Sequence, residues 1–120
     1  MGKLLTVAAL FMAMTLPTLA ADIDDHTPCS VAVTAFDGNH PDDVSDVATY
    51  IVNTIQKLDE DHVDNGEPGI LAQMSDQGEE ALDSAAVVYC RQHPKSTIYN
   101  QAAEAYRGVR DMEMELGGAK

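Results

Sequence analysis

Two cysteines, four histidines and a dense set of carboxylates are the residues of this 120-residue chain that could do chemistry. Cys29 and Cys90 stand far apart, with no second cysteine beside either. A free reactive thiol and a metal pair are two readings of them. The third is a disulfide, which is the one expected if both cysteines reach an oxidising compartment. Closing a loop of about 62 residues would then stabilise the fold by about 4 kcal/mol on the chain-entropy model. His26, His40, His62 and His93 lack the spacing that puts two imidazoles on one helical face, so no metal site is expected from them.

The run Asp59-Glu60-Asp61-His62-Val63-Asp64-Asn65-Gly66-Glu67 is acidic enough to suggest calcium. An EF-hand loop carries its glycine at the sixth position, so Gly66 would make Asp61 the first ligand, Val63 the third and Ala72 the twelfth. Val63 and Ala72 offer no side-chain oxygen, and the segment from Asp59 to Gly69 is expected to be a solvated loop between helices. Catalysis would need a nucleophile beside a base, a carboxylate pair in an apolar setting or a glycine-rich phosphate loop. None is legible, and the expectation is a non-enzyme with no cofactor.

These residues must be positioned by a small domain. Lys3 precedes a nearly unbroken apolar run from Leu4 to Leu16, and Pro17-Thr18-Leu19-Ala20 follows. That is the layout of a signal peptide over 1–20, cleaved after Ala20. The run is short of the roughly 20 residues that span a bilayer, and Asp22, Asp24 and Asp25 come directly after it, so no membrane association is expected after cleavage. Residues 21–120 then form one domain. They hold all 20 acidic side chains against six basic ones, a formal charge of −14. Residues 21–90 contain a single base, Lys57. Such a surface repels phosphate backbones and argues against a nucleic-acid partner, while it suits a cationic protein.

The pattern predicts an all-α fold, a bundle of three to four helices stapled by one disulfide. Thr27-Pro28 reads as the cap and first residue of a helix over 28–36, although Val31 and Val33 alternate with smaller residues and leave a strand open. Asn39 can cap a second helix over 41–59, whose apolar residues Val44, Val47, Ile51, Ile55 and Leu58 recur at helical spacing. Asp76 with Glu79 reads as a capping box opening a helix over 77–92, which ends ahead of Pro94. Ser96 can cap the last helix, over 97–115. Asp42, Asp43 and Asp46 in one helix and Asp76, Glu79 and Glu80 in another sit near N-termini, where the helix dipole favours ionised carboxylates by roughly 0.3–1 kcal/mol each. That support is present at neutral pH and is lost in deep acid.

The segment Val87-Val88-Tyr89-Cys90-Arg91-Gln92-His93-Pro94-Lys95-Ser96-Thr97-Ile98-Tyr99 resembles the second-cysteine region of the small periplasmic acid-stress chaperones of the HdeA/HdeB family. There a helix ends in Tyr-Cys, a proline follows four residues later and another helix begins. The signal peptide, the mature length and the placement of Cys29 are similar as well. The resemblance implies a periplasmic protein that is folded, inactive and often a homodimer at neutral pH. In acid it would loosen and hold unfolded client proteins on apolar surface, here the face of Val44, Val47, Ile51, Ile55 and Leu58. The charge alone supports a different expectation, an acidic inhibitor or immunity-type protein that captures a cationic secreted enzyme by electrostatic steering.

Overall fold

Pro28 has no backbone N–H to leave unsatisfied and stands directly before the first helix at φ −73°. In the computed structural model, which describes residues 23–38 and 40–117, that helix is α1, Cys29–Asp37. The strand alternative for this segment does not occur, since Cys29, Ala32 and Ala35 are buried at helical spacing. The chain turns at Gly38, where an added Cβ would lie 2.8 Å from the His40 ring and 2.9 Å from the Thr34 carbonyl oxygen.

Helix α2, Pro41–Asp64, buries Val47, Ile51, Thr54, Ile55 and Asp59. Its N-cap is His40, which makes no side-chain capping bond; Asn39, the expected cap, lies outside the described residues, as does the expected signal peptide over 1–20. The helix runs to Asp64 and corrects the expected end at 59. The reason is that Asp59 faces inward and finds hydrogen-bond partners there, so the acidic stretch continues the helix instead of leaving it. The turn comes at Gly66, whose φ of +85° lies in the left-handed region that glycine adopts without a Cβ penalty.

A single 3-10 turn, Leu71–Gln73, leads to α3, Asp76–Gln92. Ser75 is the cap, its Oγ accepting from the Gly78 N–H at 3.0 Å. This corrects the expected Asp76/Glu79 capping box by one residue: Asp76 is already helical, and Gly78 supplies the amide that the serine bonds. The last helix, α4, is Ile98–Gly117. Thr97 Oγ1 accepts from the Asn100 N–H at 3.1 Å, so Thr97 rather than Ser96 serves the helix start, while Ser96 Oγ accepts from Gln101 Nε2 at 2.9 Å.

All four helices join one core of Cys29, Ala32, Ala35, Val47, Ile51, Ile55, Ile70, Leu82, Ala86, Cys90, Ile98, Ala102, Ala105 and Tyr106. Helices α3 and α4 form a hairpin with the most extensive packing, and α2 lies against α4 and α1. The Cys29–Cys90 disulfide joins α1 to α3, with Cα atoms 5.0 Å apart and both residues fully buried. The N-termini of α1 and α4 satisfy each other: Cys29 N–H donates to the Ser96 carbonyl at 2.7 Å and Ile98 N–H to the Thr27 carbonyl at 3.0 Å. Each would otherwise be an orphan donor of a helix start. Many core positions are alanine, so much of the stabilisation rests on Val47, Ile51, Ile55, Leu82 and Ile98, each worth about 1.5–3 kcal/mol of burial.

Candidate functional site

The apolar face of α2 that the resemblance would assign to clients points into the molecule. Val47, Ile51 and Ile55 are at most 2 % exposed, and Val44 and Leu58 are half-buried against the same core. In this folded state the face is sealed under the other helices, so the features that matter are those that hold the seal.

The strongest of them is Asp59, a carboxylate only 8 % exposed. It falls on the stripe Val47, Ile51, Ile55, Asp59, one helical turn apart each time, and so enters the interior that the aliphatic residues define. Its Oδ1 accepts from the Tyr106 hydroxyl at 2.7 Å and from the Ile70 N–H at 2.8 Å, and Oδ2 accepts from the Leu71 N–H at 3.3 Å. One carboxylate thus ties α2 to α4 and to the segment that leads into α3. A buried charge is tolerable only when its lone pairs are occupied in this way. Gly69 lets the backbone approach, because a Cβ there would sit 2.7 Å from Asp59 Oδ2 and 2.9 Å from Val63 Cγ2. The Tyr106 hydroxyl is pushed up to about 12 by burial, then by its hydrogen bond to Asp59 and the nearby negative charge.

Around this bond lies a more exposed set. The His62 ring stacks on Tyr106 with centroids 5.8 Å apart, and His62 Nδ1 contacts Glu67 Oε1. Arg110 donates from Nη1 to the Pro68 carbonyl at 2.7 Å and approaches Glu67 with Nη2 at 3.6 Å. The contact with His62, foremost, holds the Glu67 carboxyl below its ordinary range. Elsewhere Arg91 on α3 pairs with Asp37 at the end of α1 at 2.7 Å, and the Tyr50 hydroxyl donates to Asp25 at 2.7 Å. That phenol is raised by burial and by the Asp25 bond.

The acids named at helix starts divide. Asp42 and Asp43 lie in the first turn of α2, and Asp76 and Glu79 in the first turn of α3, where the dipole acts. Asp46 and Glu80 lie beyond those turns and are poorly placed to feel it. Asp83, which the sequence reading passed over, is pushed up to about 6 by partial burial and then by the charges of Glu79 and Glu80. Glu79 and Glu80 therefore act on their own helix as a source of repulsion, and only Glu79 is also a dipole partner.

Asp59, Ile70, Tyr106 and Arg110 were not singled out as a unit by their spacing in the chain. A signal for Asp59 did exist, since it continues the every-fourth-residue stripe of α2; its partners, 11, 12 and 47 residues away, carried none. Comparison with family models, with curated proteins and with solved structures returns no match for the chain.

Proposed function

We propose that this protein is an acid-responsive holder of unfolded proteins in the periplasm, exported by cleavage of its first 20 residues. The observation that carries the reading is the way the apolar face of α2 is sealed. The polar contacts between elements draw on carboxylates: Asp59 to Tyr106 and to Ile70 and Leu71, Asp25 to Tyr50, Asp37 to Arg91, and Glu67 to His62 and Arg110. The contact of Arg110 with the Pro68 carbonyl and the backbone bonds of Cys29 to Ser96 and of Ile98 to Thr27 stand apart from them. In acid the carboxylates lose charge; a hydrogen bond to a buried charged acceptor such as Asp59 is worth about 1.5–3 kcal/mol against 0.5–1.5 kcal/mol for a neutral one, whereas the exposed pairs are screened and weaker.

The disulfide does not titrate. It would keep α1 and α3 joined while α2 and α4 part, so the opened chain stays tethered and can reclose. Val44, Val47, Ile51, Ile55 and Leu58, with Leu82 and Ile98 opposite, would then meet the apolar segments of a client. A homodimer at neutral pH that separates on acidification fits the same scheme. So does the sequence resemblance around Tyr89-Cys90 and Pro94.

The test is dye binding and sedimentation of the oxidised protein from pH 7 to pH 2, together with suppression of aggregation of an acid-denatured client. Exposure of apolar surface and client holding are expected below about pH 4, with neither at pH 7. A protein that stays closed and inactive at pH 2 would refute the proposal. If it instead bound a basic secreted enzyme tightly and in a salt-sensitive manner at pH 7, it would belong with acidic inhibitors.

A further inference from the structure

A cleft of about 290 Å³ opens along α2, and neither Asp59 nor its hydrogen-bond partners line it. Its wall on α2 is Tyr50, Asn53, Thr54, Lys57, Leu58 and Asp61, and Asp25 and Tyr99 close it from the N-terminal segment and from α4. The α2 residues recur at three- and four-residue steps and so share one helical face. The volume is at the lower end of small-ligand pockets. The rings of Tyr50 and Tyr99 and the side chain of Leu58 supply apolar surface, each of them half-buried.

The polar groups of the cleft are unequal. Tyr50 and Asp25 are engaged with each other. The side chains of Asn53, Lys57, Asp61 and Tyr99 make no hydrogen bond or ion pair among the described residues. Lys57 is the one basic side chain between residues 21 and 90, in a stretch with 16 acids. Despite that excess it is not ion-paired, even with Asp61 one turn further along the same helix. Lysine placed N-terminal to the acid is the poorer orientation for such a pair, and both charges stay exposed at the edge of the cleft. A cationic and an anionic group one turn apart, beside two phenol rings and a leucine, complement a ligand that carries both charges on an apolar stem.

We propose that this cleft binds a small zwitterion with an apolar side chain, of the α-amino acid class, whose carboxylate is held by Lys57 with Asn53 and whose ammonium is held by Asp61. Its side chain lies between Tyr50, Leu58 and Tyr99. The site belongs to the closed state at neutral pH and stands or falls separately from acid activation.

The experiment is a titration of the isotopically labelled, oxidised protein at pH 7 with L-phenylalanine, with phenethylamine, which lacks the carboxylate, and with 3-phenylpropionate, which lacks the ammonium. L-phenylalanine should give saturable shifts of the amides of residues 50–61 and of Tyr99, and each truncated probe should bind about tenfold more weakly for the loss of one charged contact. Lys57→Met should reduce L-phenylalanine to the level of phenethylamine, and Asp61→Asn to that of 3-phenylpropionate. Lys57→Arg should restore binding, which a structural effect of the methionine would not predict. The absence of saturable shifts, or equal binding of all three probes, would overturn the proposal.

Discussion

Replacing Asp59 by asparagine keeps the size of the side chain and removes its charge and one of its acceptor oxygens. In the native protein the carboxylate takes three hydrogen bonds, at 2.7 Å from Tyr106, 2.8 Å from Ile70 and 3.3 Å from Leu71. Tyr106 is 3 % and Ile70 4 % exposed, so water cannot replace a lost acceptor. The amide oxygen, in the place of Oδ1, would keep both short bonds at neutral strength, and its NH2 would turn toward the Leu71 N–H donor. Losing the difference between charged and neutral bonds twice gives roughly 2–3 kcal/mol. For a domain of this size, 1 kcal/mol moves the midpoint by about 4–8 °C, so Asp59→Asn should melt roughly 10–20 °C lower at pH 7. Asp59→Ala, which orphans both buried donors, should cost about 3–5 kcal/mol and sit near the limit of a 5–15 kcal/mol fold. The assay is circular dichroism melting of wild type and variant at pH 7. A variant that melts with the wild type at pH 7 would refute the argument.

Asp83 should act in the opposite direction. Its folded value near 6 exceeds the unfolded one, so it destabilises the fold when charged and protonation strengthens the fold as pH falls from about 6 to about 4. After discounting for solvent screening the gain is about 1 kcal/mol, and Asp83→Asn should supply it at pH 7 and flatten a melting profile over that window. Gly69→Ala would push a methyl group into Asp59 and Val63 and should cost about 1–3 kcal/mol by thermal melting, with the amide signals of Ile70 and Leu71 displaced. At the alkaline end, the raised Tyr106 hydroxyl stabilises the fold below about pH 10, and this support fades as pH rises toward 12. Tyr106→Phe should lose that part of the alkaline slope in a pH series of melts.

The helical faces were legible because their signal is local. Val47, Ile51 and Ile55 repeat every fourth residue, and the structure buries all three. The disulfide was legible for a different reason, that two cysteines admit a single intramolecular pairing, and it settles Cys29 into α1 where alternation had left a strand open. The end of α2 was not legible. Charge density from Asp59 to Glu67 reads as solvated loop when each acid is weighed alone, whereas Asp59 is sheltered by donors that arrive from distant parts of the chain. Helix starts slipped by one residue for a related reason: Ser75 and Asp76, or Ser96 and Thr97, are both competent caps, and tertiary placement of the neighbouring residue decides between them. Ser96 is used by Gln101 and by the Cys29 N–H, which leaves Thr97 to cap α4.

The central claim is that ionised carboxylates keep the apolar face of α2 closed. Hydrogen exchange of the oxidised protein at pH 7 and at pH 2.5, resolved to peptides, tests it most directly once corrected for the intrinsic pH dependence of exchange. The account predicts that at pH 2.5 protection is lost across residues 44–58 and 98–106 while the peptides around Cys29 and Cys90 retain it, and that raising the pH restores the original pattern. Uniform protection at both pH values would contradict it.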